Sequence, residues 1–239
     1  MAGHANTTLA GLPGENRSPL LLRIGFWICV VIAIAVVVRR LFALAAVSHN
    51  GPPQMAALDD AFASHAALTL AHIIPAVLFV LLSPFAVFKR FANFRWADRI
   101  LFPLGLVVGL TAYAMSAYSV GGSVELSAVL FFNSLFLYSL VRAWWHRQHG
   151  DAVMKRRWLL RAIAVLLGVA TTRPVMGVFF ATSRVTHLTP SQFFGIAFWI
   201  GFSVNVLVFE LWLHSLDSQS QFAKAAAVPT LAHPGLGRQ

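Results

Sequence analysis

Residues 65–88 read HAALTLAHIIPAVLFVLLSPFAVF, without one Asp, Glu, Lys or Arg. Wound as a helix at 1.5 Å per residue, such a run is about 36 Å long, enough to cross a hydrocarbon core about 30 Å thick. Inside that core no water is available to the backbone. A helix satisfies its donors and acceptors within one segment, whereas an isolated strand cannot. The alternation of apolar and polar residues expected of a barrel strand is absent. Working outward, four more stretches read the same way, at about 100–120, 124–145, 158–181 and 191–214. The sequence therefore predicts an all-α, polytopic transmembrane helix bundle.

The N-terminal part supplies a sixth span. An apolar run from 20 to 38 carries Arg23 near its start, then Arg39-Arg40, then a further apolar stretch to 47. A cleaved signal peptide is the rival reading, with Arg17 and Arg23 as its basic region and Ala43-Leu44-Ala45 as a weak cleavage site. The Arg pair between core and cleavage site argues against it, and an uncleaved first helix is the better reading. A loop over about 48–64 follows, with the helix breaker Gly51-Pro52-Pro53 and then Asp59-Asp60. The organisation predicted is a flexible tail over 1–19, a six-helix transmembrane domain over 20–214, and a flexible tail over 215–239.

Composition agrees. The 239 residues are 58% hydrophobic and 11% charged, where a soluble domain carries about 25% charge. A disordered chain, a coiled coil and a water-soluble enzyme of ordinary composition are all excluded. Lys and Arg total 18 against 8 Asp and Glu, for a net +10. In a soluble protein this would point to nucleic acid, but no single basic face exists once the helices lie in lipid, so no nucleic-acid partner is expected. The excess instead sets orientation. Lys89, Arg90, Arg95 and Arg99 join the second and third spans; Arg142, Arg147, Lys155, Arg156 and Arg157 join the fourth and fifth. The turn at Gly121-Gly122 has none, and the fifth-to-sixth turn has Arg184. The positive-inside rule puts the basic connections in the cytoplasm, with both termini there, in a cell inner membrane. Arg39-Arg40 violates the rule, since it falls at the outer end of the first span. The lone Cys29 carries no disulfide, metal or redox pattern.

Polar residues inside the spans can be placed by depth. Counting along each helix, His72 and Tyr113 lie about 10 Å below the outer surface, Arg173 about 12 Å and Asn133 about 13 Å. Polar groups in hydrocarbon are costly and face the bundle interior. Pro75 and Pro174 fall at the same level and free the carbonyls of Ala71 and Ala170, with Ser116, Thr171 and Thr172 as nearby donors. Two readings follow: a small polar pocket open to the outside, or a hydrogen-bond layer that locks the bundle. Arg173 favours the first, because it stays charged and needs an acceptor. His72 and Arg173 are thus the expected ligand-binding residues for a small polar or anionic molecule, supported by Tyr113 and Asn133. A second polar group, Arg142, His146, Arg161, Glu210 and His214, reads as ion pairing near the inner face, with Glu210 on Arg161 or Arg142. The many Phe residues read as lipid-facing bulk, and Trp96, Trp144, Trp145 and Trp158 as an interfacial belt.

No catalytic constellation appears: there is no Gly-rich phosphate loop, nucleophile elbow or His-Glu-x-x-His. His65 and His72 share a face, but a b-type haem needs axial histidines from two helices at one depth. His72 has no such mate; at the inner side His146 or His149 could face His214. A b-haem redox protein and a non-catalytic accessory subunit are the alternatives to a ligand-binding protein. The sequence names no cofactor and no metal site.

From His72 to about Pro174 the chain resembles the DUF2306 family of predicted multi-pass membrane proteins. The resemblance rests on His72-Ile73 opening a span that reaches Pro84-Phe85, on Asp98-Arg99, on Gly121-Gly122, and above all on Arg156-Arg157-Trp158-Leu159-Leu160-Arg161 followed by Thr171-Thr172-Arg173. It implies a helical inner-membrane protein and supplies no reaction. The family pattern has a His before Arg in the turn that here reads Arg95-Trp96-Ala97-Asp98-Arg99. It has another before Arg-Arg-Trp, where this chain has Lys155. Any haem or metal role of those histidines is therefore lost here.

Overall fold

The computed structural model describes residues 20–45, 60, 62–88, 95–119, 121–187 and 189–226. The tail over 1–19, the Gly51-Pro52-Pro53 breaker, Asp59, Lys89, Arg90 and the last stretch of the C-terminal tail lie outside them. The described residues give six long helices: α1 Leu20–Ala45, α2 Ala66–Val87, α3 Arg95–Ser116, α4 Gly122–Gln148, α5 Ala152–Thr186 and α6 Pro190–Ala226. All six are long and apolar enough to cross a membrane. There is no strand among the described residues.

Helix α5 is the hub and packs against α1, α2, α4 and α6. Helix α3 bridges α2 and α4, α6 closes on α4, and α1 packs on α2 and α5. At Gly122 the turn before α4 needs a positive φ of 62°, which glycine adopts without the steric cost a Cβ imposes. Small residues let the helices approach closely. A Cβ on Gly201 of α6 would lie 2.6 Å from the backbone nitrogen of Thr172 in α5, and one on Gly195 would lie 2.7 Å from the backbone nitrogen of Glu125 in α4.

Proline does not break these helices. Pro84 cannot donate to Val80, and the buried Ser83 hydroxyl takes that carbonyl instead, at 2.7 Å. The hydroxyls near Pro75 and Pro174 do otherwise than expected. Ser116 bonds Tyr113 O, Thr172 bonds Val169 O, and Thr171 bonds Asn205, so none of them takes the carbonyl of Ala71 or Ala170.

One boundary and one assignment differ from the sequence reading. Helix α6 continues past 214 to Ala226, because its Asp217 carboxylate is held by both terminal nitrogens of Arg157. Several phenylalanines are not lipid-facing bulk: Phe79, Phe132, Phe136, Phe193 and Phe194 are buried, whereas Phe42 and Phe131 are exposed. Phe194, Phe198 and Phe202 recur at i, i+4 on α6 and stack in a ladder, on which Phe132 of α4 lies at 5.1 Å. A bundle this short of polar bonds is held by ring and methyl packing.

At the end bearing the basic connections, Arg161 donates Nε to Glu210 Oε1 at 2.6 Å and Nη2 to Oε2 at 3.0 Å. Arg142 lies over Trp145 and Trp158 at 5.5 and 5.3 Å, and Arg161 over Trp158 at 4.6 Å. These are the cation–aromatic contacts of an interfacial belt.

Candidate functional site

Away from the basic connections, the six helices surround a cavity of about 260 Å³. Its walls are mostly apolar, from Val36 and Val37 of α1 through Ile73 and Val108 to Phe198 and Phe202 of α6. The space is therefore deeper and greasier than a polar layer alone would make it. Polar groups cluster at one end, where Arg40, Glu125 and Arg173 come from α1, α4 and α5.

Of the four residues placed by depth, His72, Asn133 and Arg173 line this one cavity. Tyr113 does not. Its hydroxyl meets Ser134 Oγ at 2.7 Å on the exposed side of the α3–α4 contact. Tyr118, a turn and a half further on, lines the cavity in its stead and lies against the His65 ring at 3.8 Å.

His72 Nδ1 is 2.9 Å from Thr111 Oγ1, and that hydroxyl is 2.7 Å from Val107 O. With the hydroxyl proton on the carbonyl, His72 Nδ1 donates to Thr111 and Nε2 is left as an acceptor. Asn133 is buried and donates Nδ2 to Gly109 O at 2.9 Å, tying α4 to α3. Asn133→Leu should lower stability by about 1 kcal/mol, the usual worth of an interhelical side-chain bond in a membrane. Thermal unfolding followed by tryptophan fluorescence would measure it, and an unchanged midpoint would show that this bond contributes nothing.

Arg173 is the unusual group. Its Nη1 points at Met176 Sδ, 3.6 Å away, a weak acceptor, and its Nε is buried with no acceptor at all. It makes no ion pair among the described residues. The carboxylate on the same cavity, Glu125, accepts from the backbone N of Gly121. Arg40 stacks on Phe62, its guanidinium carbon 4.0 Å from the ring centroid. The arginine that breaks the positive-inside pattern therefore has a place: it lines the cavity. Depth counting within the spans missed Arg40 and Glu125 because they sit at helix ends; the topological misfit of Arg39-Arg40 was the signal that could have found the first.

The remaining histidines are dispersed. His146 Nδ1 lies 3.3 Å from Asp151, His149 Nδ1 lies 2.8 Å from Trp145 O, and His214 is exposed. No group of three metal-ligating side chains occurs among the described residues.

Six apolar helices around a common core, with a lined cavity inside, define a polytopic integral membrane protein. The chain belongs to the DUF2306 family, described as predicted membrane proteins, whose profile matches residues 69–213. The match runs beyond Pro174 into α6 and leaves out α1. No curated protein and no solved structure matches the chain.

Proposed function

We propose that this membrane protein binds a small molecule with an apolar body and one anionic group in the cavity lined by His72, Asn133 and Arg173. The observation that carries the reading is the Arg173 guanidinium: a buried Nε, a thioether contact, and no ion pair among the described residues. A charge among apolar walls is costly unless something pairs with it, and a carboxylate or phosphate bound bidentately is what a guanidinium fits best. Arg40 adds a second cation at the same end, and His72 Nε2 and Asn133 offer polar contacts along the wall. The apolar remainder of the 260 Å³ suits a short alkyl or ring system. The charge distribution of the connections orients the chain with both termini cytoplasmic and the cavity towards the outside of an inner membrane. The reading is of a carrier or receptor, which an apolar cavity with cations at one end supports.

Decanoate, decyl phosphate and decanol, added to the purified protein in a neutral detergent, test this. At a concentration about a hundredfold above Kd, a bound ligand contributes about 2.7 kcal/mol, or a rise of roughly 5–10 °C in Tm. The two anions should give that rise and the alcohol should not. Equal rises for all three, or none for any, would refute an anion site.

A further inference from the structure

A second cavity lies at the basic end, between α1, α5, α6 and the tip of α2, and measures about 580 Å³. Its walls are apolar, with Phe26, Leu160, Ile163, Leu167, Val208 and Phe209 among them. Its mouth is not. Arg23, Arg156 and Arg157 all line it, with Arg23 over Phe88 at 5.7 Å and Arg156 donating Nη2 to Val87 O at 2.8 Å. Arg157 is paired with Asp217 there. Cys29 and Asn205, which are joined through Thr171, line the groove away from these arginines.

The length is informative. From Arg157 to Leu167 the groove follows α5 for about 15 Å, and from Leu21 to Cys29 it follows α1 for about 12 Å. Half of a hydrocarbon core about 30 Å thick is the same distance. An apolar slot one leaflet deep, with a cationic rim at headgroup level, matches one kind of molecule. We propose that this groove holds an acyl chain of an anionic phospholipid, with the lipid phosphate against Arg23, Arg156 and Arg157. The site is separate from the Arg173 cavity and does not depend on the reading given to that cavity. Anionic headgroups are favoured because three guanidinium groups line the rim. Free phosphate is disfavoured because it leaves the slot empty.

The test uses the full-length protein, stripped of lipid in a neutral detergent. Phosphatidylglycerol, phosphatidylcholine and inorganic phosphate are titrated in turn, with binding read by native mass spectrometry and by the shift in Tm. Phosphatidylglycerol should bind at least about fivefold tighter than phosphatidylcholine, and inorganic phosphate should neither shift Tm nor compete. Arg23→Gln should weaken phosphatidylglycerol about fivefold, the worth of one basic side chain near an anionic headgroup, and leave phosphatidylcholine unchanged. Gly25→Phe fills the slot from α1, where a Cβ on Gly25 meets nothing within 4 Å, and should abolish both lipids. Equal affinity for the two lipids, full competition by inorganic phosphate, or lipid binding untouched by both variants overturns the proposal. Phosphatidylglycerol binding lost in Arg173→Leu would place the lipid in the other cavity and overturn it equally.

Discussion

Arg173→Leu is expected to do two opposite things: raise the thermal stability of the ligand-free protein and weaken decanoate binding about a hundredfold. The first follows from the cost of a buried guanidinium that ends on a thioether. Replacing a poorly paired buried charge by an apolar side chain of similar reach commonly stabilises by about 1 kcal/mol or more. The second follows from the loss of a desolvated, charge-assisted contact, a truncation that costs about 2–5 kcal/mol. A residue that merely locks helices together would behave otherwise, because its removal lowers stability. Paired measurements of Tm and Kd on the variant therefore separate the two readings of the polar level. A lower Tm with intact binding would assign Arg173 to structure.

Gly201→Val carries the other large effect. A Cβ at this position would sit 2.6 Å from both the backbone N and the Cγ2 of Thr172. No rotamer change can relieve a collision with backbone, so α5 and α6 must move apart along their whole contact. Overpacking a tight interior costs about 1–3 kcal/mol even where side chains can yield. Here at least about 3 kcal/mol is expected, a fall of roughly 10 °C in Tm for a domain of this size. Gly177→Ala is the control, since nothing lies within 4 Å of its added Cβ. It should be neutral or stabilise by up to about 1 kcal/mol through helix propensity. Equal Tm values for the two variants would show that the close approach of α5 and α6 contributes no stability.

The architecture was legible because hydrocarbon thickness turns hydropathy into length. Each run of apolar residues had to become a helix, and the spans fall within a few residues of where α2 to α5 lie. The C-terminal end of α6 was not legible, since Asp217 meets Arg157 across sixty positions of sequence and no local pattern announces it. The polar level was half legible. Counting residues gives depth but not azimuth, so it placed His72, Asn133, Arg173 and Tyr113 together at one height. It could not tell that Tyr113 turns to Ser134 on the far side of α3. The aromatic residues were misjudged for a related reason: Phe has no polar atom to mark its side, and only the partner helices decide whether Phe132 or Phe202 meets lipid or another ring.

Helix α1 packs on α2 and α5, and Val36, Val37 and Arg40 wall one chamber while Phe26 and Cys29 wall the other. Along its axis the two linings stop a single turn apart, at Cys29 and Ala33. The least anchored helix is thus the shared partition between both chambers and the surrounding bilayer. A solute already dissolved among the acyl chains would need only a sideways tilt of this one stave to slip in, with no detour through water.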